Sequence, residues 1–190
     1  MKYRESGMPS EELWDTFFSP TEILEKMEVR KNIRNLVDIG CGYGTFLLPA
    51  AEIINGTVIG IDVDKEMIEV CKKKVEENSV LNIDLVYGDI SEKDTTKALK
   101  KYIEEIDYIT LFNILHCEEP IKLLTHVYGM LDQQGKIGVI HWKYGDTPRG
   151  PSMEIRPKPE MIIEWAEKVG FTLEKQIEIQ PYHFGLIFKK

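Results

Sequence analysis

The sequence is poor in cysteine and has no long apolar stretch. Cys41, Cys71 and Cys117 are the only cysteines among 190 residues, and their wide spacing excludes a disulfide framework. The longest nearly apolar stretch, residues 46–54, contains Glu52 and is far shorter than a bilayer span. The first residues also lack the apolar core of a secretory signal. We therefore expect a cytoplasmic protein without a membrane partner.

Basic residues are outnumbered by acidic ones. The chain has 24 Lys and Arg against 32 Asp and Glu, a formal net charge of −8, and such a surface repels phosphate backbones. Nucleic acid is therefore disfavoured as a partner. With 43% hydrophobic residues and no repeat or low-complexity tract, the composition excludes disordered, collagen-like and coiled-coil proteins. The length predicts a single domain over residues 1–190.

Residues 1–34 are predicted to form an N-terminal helical cap on a core that spans residues 35–190. Ser19, Pro20 and Glu22 supply an N-cap, a proline in the first turn and an acid three residues after the cap. Apolar residues also recur at helical spacing upstream of this helix start. Such a stripe either packs on the core or covers a ligand as a lid. The stripe consists of Leu13, Trp14, Phe17 and Phe18.

From residue 35 onward, short apolar strands alternate with helical segments. The predicted strands cover residues 36–39, 57–62, 83–87, 108–113, 136–142, 171–179 and 182–188. The predicted helices cover residues 45–54, 65–77, 95–103, 120–131 and 160–169. Strands that are apolar on both faces and alternate with helices indicate an α/β fold with a doubly wound, mostly parallel seven-stranded sheet. The last two strands are joined by a short turn, which predicts an antiparallel C-terminal hairpin.

The carboxyl end of the first predicted strand carries a glycine-rich turn. Asp38 is followed by Gly40, Gly42 and Gly44, and Asp62 ends the second strand 18 residues past Gly44. Glycines at alternate positions let the backbone approach a ligand closely, and an acid in the position of Asp62 can accept hydrogen bonds from ribose hydroxyls.

A dinucleotide fingerprint differs from this turn in one position. Its third glycine would fall at residue 45, which is Thr45 here. An acid two positions before the first glycine fits a ligand with an amino-acid head group better than one with a pyrophosphate. A nicotinamide-dependent oxidoreductase therefore remains an alternative of a different class, which this turn and the terminal hairpin disfavour.

Together with Gly88 and Asp89 at the third strand end, these features over residues 35–190 resemble the class I S-adenosylmethionine-dependent methyltransferases. The resemblance implies a Rossmann-like methyltransferase fold, S-adenosyl-L-methionine as cofactor, S-adenosyl-L-homocysteine as product and a transferase activity of class EC 2.1.1. It also implies cofactor-binding residues: Asp38, Gly40, Gly42, Gly44 and Asn113 at the methionine part, Asp62 at the ribose, and Asp89 and Ile90 at the adenine.

Each of the polar side chains in that set also has a structural alternative. Asp62 could cap the following helix, although Asp64 is the better-placed cap. Asp89 and Asn113 could be turn residues at strand ends.

Methyl transfer from a sulfonium is an in-line displacement, so the protein mainly aligns the acceptor and excludes water. A base is needed only if the acceptor is protonated, and His116 and His141 are the candidate catalytic residues. Trp142 and Tyr144 are candidate substrate contacts. Each of these four side chains could instead be structural, which is the more frequent case for a histidine. The four histidines show no metal-ligand spacing, and we expect no metal.

Two loops are expected to shape the acceptor pocket. Residues 145–157 form a long, proline-stiffened loop, and residues 4–9 lie near the start of the N-terminal cap. Arg4, Arg149 and Arg156 are available there to hold an anionic substrate, although each could instead make structural bonds.

The sequence thus predicts a methyltransferase acting on a small-molecule acceptor. A protein acceptor, a nicotinamide-dependent oxidoreductase and a non-catalytic cofactor-binding module are the alternatives. N, O, S and C methylation share this scaffold, so the acceptor atom stays open, as does the oligomeric state.

Overall fold

The computed structural model describes residues 11–12, 17, 19–102 and 105–190. The strands are β1 (Asn35–Ile39), β2 (Thr57–Asp62), β3 (Ile83–Tyr87), β4 (Ile106–Phe112), β5 (Lys136–Trp142), β6 (Thr172–Ile179) and β7 (His183–Lys189). The helices are α1 (Pro20–Lys26), α2 (Leu47–Ile53), α3 (Lys65–Glu77), α4 (Lys93–Ala98), α5 (Pro120–Met130) and α6 (Pro159–Val169).

The strands form one seven-stranded sheet in the order β3-β2-β1-β4-β5-β7-β6. The first five strands of this order run parallel, and β7 pairs antiparallel with both β5 and β6. The predicted doubly wound sheet with a C-terminal hairpin is therefore confirmed. The strand order reverses between β1 and β4, which opens a crevice at the carboxyl ends of these two strands.

The sheet separates two apolar clusters, because alternate residues of a strand point to opposite faces. Val37 belongs to the cluster covered by α5 and α6, whereas its neighbour Leu36 belongs to the cluster covered by α1, α2 and α3. Both residues are buried, as are all five residues of β1. None of the helices in the described part of the chain combines the length and the apolar character of a membrane span.

Three helices differ in detail from the sequence prediction. Helix α1 begins at Pro20 as expected, but the side chain of Ser19 makes no capping hydrogen bond. Helix α2 begins at Leu47 instead of Thr45, with Phe46 as its N-cap. The fourth helix covers Lys93–Ala98 and ends in a turn, where residues 95–103 were predicted to be helical.

The apolar stripe predicted upstream of α1 falls largely outside the described residues, which include Phe17 but not Leu13, Trp14 or Phe18. The ring of Phe17 packs edge-on against Trp142, with ring centroids 5.5 Å apart. Ile23 and Leu24 on α1 are buried in the cluster that α1 shares with α2 and α3. Phe17 and α1 thus pack on the core, as one of the two interpretations of the stripe requires.

Candidate functional site

The glycine turn between β1 and α2 holds an unusual backbone conformation. Gly40, Gly42 and Gly44 have φ angles of +78°, +51° and +79°, which L side chains rarely adopt. The backbone N–H groups of Gly40 and Cys41 donate to the carbonyl oxygen of Ile61 at 2.8 and 3.1 Å. The turn is therefore fixed to the end of β2, beside the crevice.

Gly40 also has no room for a side chain. A Cβ atom at this position would lie 2.8 Å from Cγ2 of Ile114. We expect Gly40→Ala to lower the free energy of unfolding by about 2 kcal/mol, because the left-handed conformation alone costs an alanine roughly 1–2 kcal/mol. Urea unfolding measures this change.

The matched control is Gly129→Ala in α5. A Cβ atom there meets nothing within 4 Å, and the helix gains from alanine. This variant should be more stable than the wild type by about 0.5 kcal/mol. Equal effects of the two substitutions would contradict the strain assigned to Gly40.

Asp62 lies at the end of β2 and faces the glycine turn. One carboxylate oxygen accepts a hydrogen bond from the backbone N–H of Gly42 at 2.9 Å, and the other accepts from that of Asp64 at 2.9 Å. Burial raises the pKa of the Asp62 carboxyl, and these backbone hydrogen bonds oppose that shift. The cap of α3 is instead Asp64, whose side chain accepts from the N–H of Glu66. Capping therefore does not account for Asp62.

Asp38 is a buried carboxyl beneath the same turn. Its Oδ1 atom accepts a hydrogen bond of 2.6 Å from the hydroxyl of Thr110, which lies opposite Asp38 on β4. Burial raises the pKa of Asp38 to about 6, and the negative charge of Asp62 acts in the same direction. Thr110 was missed by the sequence analysis because its importance depends on the pairing of β1 with β4.

Asn113 follows β4 at the crevice. It has a φ of +58°, and its backbone N–H donates to the carbonyl oxygen of Ile140 at 2.7 Å. Both polar atoms of its side-chain amide are buried and lack a hydrogen-bond partner among the described residues. Such an amide is costly to leave unsatisfied, so it suits a ligand that carries hydrogen-bonding groups.

A cavity of about 400 Å³ adjoins the ends of β2 and β3. Asp89 lies at its wall and accepts hydrogen bonds from the backbone N–H and the hydroxyl of Ser91, at 2.8 and 2.7 Å. Ile90 is buried in the core cluster that includes Val37. The cavity is lined by Val63, Val86, Tyr87, Gly88, Asp89, Glu92, Asp94, Thr95 and Ala98. Because Val63 lines it, the cavity lies beside Asp62 at the carboxyl edge of the sheet, where open α/β sheets bind ligands.

His116 and His141 meet on the face of the sheet that α5 and α6 cover. Their rings pack edge to face with centroids 5.5 Å apart, and both side chains are buried. Burial, followed by the proximity of His116, lowers the pKa of His141 well below its usual range. His141 is therefore a neutral imidazole at physiological pH.

His183 is a third buried histidine at this edge, and the sequence analysis missed it. Antiparallel pairing places the first residue of β7 beside Trp142 at the end of β5, and the two rings lie 4.1 Å apart. Burial lowers the pKa of His183 to about 3. The predicted hairpin could have indicated this residue, because an antiparallel β7 begins beside the carboxyl end of β5.

The remaining predicted substrate residues lie at the end of β5 or in the loop after it, except Arg4, which falls outside the described residues. Trp142 is buried, whereas Tyr144 is exposed and lies under the amine of Lys158 at 4.6 Å from the ring centroid. Arg149 is exposed. Arg156 is buried and donates hydrogen bonds within its own loop.

The structure thus brings Asp38, the three glycines, Asp62 and Asn113 together at the crevice, and places Asp89 and Ile90 beside it at the end of β3. His116 and His141 lie on the β4 and β5 side of the same sheet edge. Within the described residues, no group of three or more His, Cys, Asp or Glu side chains is placed to hold a metal ion.

Comparison with known sequences identifies relatives of this chain. The family model described as "Methyltransferase domain" matches residues 36–135. A demethylmenaquinone methyltransferase from Listeria welshimeri is 27% identical over 130 residues, which are 67% of this chain and 52% of that protein. A ubiquinone biosynthesis O-methyltransferase from Actinobacillus pleuropneumoniae is 26% identical over 175 residues, covering 83% of this chain and 72% of that protein. The chain spans about half the length of the Listeria relative.

Comparison with solved structures supports the same fold. A SAM-dependent methyltransferase from Aquifex aeolicus matches with a TM-score of 0.80. The match covers 91% of this chain and 90% of that one, at 21% sequence identity. The likeness therefore extends beyond the residues that the family model matches.

Proposed function

This chain belongs to the methyltransferase-domain family, and from that premise we propose that it transfers the methyl group of S-adenosylmethionine to a small-molecule acceptor. The observation that carries the proposal is the crevice where the strand order reverses. There the carboxylate of Asp62 is hydrogen-bonded to the middle of the glycine turn, and the buried amide of Asn113 has no protein partner among the described residues. These groups are complementary to a ribose and to an amino-acid head group.

We assign the chain's residues to the three parts of the cofactor. Asp62 accepts hydrogen bonds from the ribose hydroxyls. Asp89 and Ile90 hold the adenine at the cavity beyond it. The methionine part lies along the glycine turn, between Asp38 and Asn113. The residues in these roles are Asp38, Gly40, Gly42, Gly44, Asp62, Asp89, Ile90 and Asn113.

When bound, S-adenosylmethionine supplies a methyl group on a positively charged sulfur that departs as a neutral thioether. The chain's own contribution is to orient the acceptor in line with the methyl carbon and to keep water out. With a hydroxyl acceptor, the oxygen would take the methyl group and would have to lose its proton. The imidazole of His116 would receive that proton, and its neighbour His141 is neutral and adds no repelling charge.

Quinones are the acceptor class that we propose to test first. The names of both sequence relatives refer to quinones, demethylmenaquinone in one and ubiquinone in the other. A reduced quinone carries hydroxyl groups on an electron-rich ring and is nucleophilic, whereas the oxidised ring is not. The half-buried ring of Phe17, which packs on the buried Trp142 at the end of β5, offers an aromatic contact near His183.

A thermal-shift panel tests the cofactor. S-adenosylmethionine or S-adenosylhomocysteine at about 100 times the dissociation constant should stabilise the fold by about 2.7 kcal/mol, which raises Tm by roughly 5–10 °C. NAD and NADP should produce no shift. A shift with NAD or NADP alone would support an oxidoreductase and refute the proposal.

A transfer assay tests the activity. S-adenosylmethionine labelled in its methyl group is incubated with the wild-type chain and reduced demethylmenaquinone, reduced ubiquinone precursors with free hydroxyls, or a basic protein mixture. Label in a small molecule is the expected result. Label found only in protein would instead identify a protein acceptor. Binding of cofactor without transfer to any acceptor would favour a non-catalytic module.

A further inference from the structure

The loop that follows β5 is built around one side chain. Arg156 is only 7% exposed, and all three of its guanidinium nitrogens donate to groups of the same loop. Because these donors are all engaged, Arg156 has little left with which to bind an anionic substrate. The acceptors are the carbonyl oxygens of Lys143 (3.1 Å), Gly145 (3.1 Å), Arg149 (3.3 Å) and Pro151 (3.0 and 2.7 Å), and the hydroxyl of Thr147 (2.7 Å).

The tip of this loop rests on Trp142. Gly150 has a φ of +108°, and a Cβ atom there would lie 2.8 Å from Cγ of the Trp142 indole. The indole in turn packs on His183 and on Phe17. The guanidinium charge of Arg156 also contributes to the lowered pKa values of His141 and His183, after burial. Loop, indole and histidines therefore form one packed unit at the end of β5.

We propose that Arg156 is a positioning residue that holds residues 143–157 as a preformed wall of the acceptor pocket. This inference rests on the proposed function, because the loop leaves the sheet at the edge where the methyl group would be presented. A loop of this length without helix or strand is otherwise costly to order when a ligand binds. Arg156 removes that cost beforehand by satisfying five loop groups at once.

Arg156→Lys is the sharpest variant because it keeps the positive charge but not the planar fork. A lysine has three donors on one atom and leaves most of the loop carbonyls without a partner. Arg149→Lys is the matched control, since Arg149 is an exposed arginine of the same loop. Gly150→Ala is a second test, because its Cβ atom would lift the loop tip off Trp142 while Arg156 stays intact.

Limited trypsin digestion tests how well the loop is held in place. Trypsin cleaves after residue 149 whether it is arginine or lysine, so the control keeps the cleavage site. We expect cleavage there to be at least 10-fold faster in Arg156→Lys and in Gly150→Ala than in the wild type and the control. Equal rates in all four chains would overturn the assignment of Arg156 as the centre of the loop.

Steady-state kinetics with reduced demethylmenaquinone as the probe test whether Arg156 contributes to acceptor binding. We expect Arg156→Lys to raise KM for this acceptor at least 10-fold, with kcat within threefold and the Kd of S-adenosylhomocysteine within twofold of the wild type. A purely structural loop would be cleaved faster with KM unchanged, which would overturn the inference alone. A wild-type chain that does not bind S-adenosylhomocysteine would overturn the proposed function. A wild-type chain that binds S-adenosylhomocysteine but does not methylate reduced demethylmenaquinone would contradict both the proposed acceptor and the proposed role of the loop.

Discussion

Asp62→Ala is expected to weaken the binding of S-adenosylhomocysteine at least 100-fold. In the proposed complex the carboxylate accepts hydrogen bonds from two ribose hydroxyls, and a hydrogen bond to a charged group contributes about 1.5–3 kcal/mol. The loss of two such bonds corresponds to a factor of 100 or more. Isothermal titration of the wild type and of Asp62→Ala with S-adenosylhomocysteine measures the two dissociation constants directly.

The matched control for this experiment is Asp64→Ala, two residues further on. Asp64 caps α3 through the N–H of Glu66, so its loss should lower the free energy of unfolding by about 1 kcal/mol. The ligand's Kd should stay within threefold of the wild type, because Asp62 binds the backbone of residue 64 and not its side chain. If Asp62→Ala also stayed within threefold, the ribose role of Asp62 would be wrong.

The second large effect concerns the pH dependence of stability. Burial raises the pKa of Asp38 from the usual 3.8 to about 6. A group whose pKa is raised by folding adds stability below its unfolded pKa and loses it as the pH rises through the folded one. Between pH 4 and pH 6 the unfolded chain releases this proton while the folded chain keeps it. Asp38 should therefore lower the free energy of unfolding by about 2–3 kcal/mol across this window.

Asp38→Asn isolates this contribution. The amide oxygen can still accept the hydroxyl hydrogen of Thr110, but the side chain no longer ionises. Urea unfolding should give the variant nearly wild-type stability at pH 4 and about 2–3 kcal/mol more than the wild type at pH 7. An unchanged difference between the two chains at both pH values would show that Asp38 does not titrate in this range.

A carboxylate that lowers stability at neutral pH is expected where a protein binds a cation. Asp38 and Asp62 lie on either side of the glycine turn, burial raises the pKa of both carboxyls, and the charge of Asp62 adds to the shift of Asp38. In the proposed complex, the positively charged sulfur and the ammonium group of S-adenosylmethionine would offset this cost. The destabilising charge at Asp38 is thus consistent with a site built for a cationic ligand.

Local patterns in the sequence predicted most of the fold. The apolar strands, Asp64 as a cap and the glycine turn all depend on neighbouring residues, and the structure places them as expected. Helix α2 starts at Leu47, two residues after the predicted start at Thr45, with Phe46 as its N-cap. Sequence periodicity does not contain that information.

The features that the sequence did not predict depend on strand register or on loop conformation. Thr110 is important because β4 lies beside β1 in a register that pairs it with Asp38. His183 reaches the site because β7 runs antiparallel to β5. The six hydrogen bonds of Arg156 exist only in the folded loop, so the sequence could offer this residue as an anion ligand but not as the centre of the loop.

A crystal structure of the complex with S-adenosylhomocysteine tests the central claim most directly. The account predicts the ribose hydroxyls at the carboxylate of Asp62, the adenine in the cavity beside Asp89 and the amino-acid end at the amide of Asn113. A ligand bound elsewhere on the chain, or one that leaves both Asp62 and Asn113 without a contact, would contradict the account.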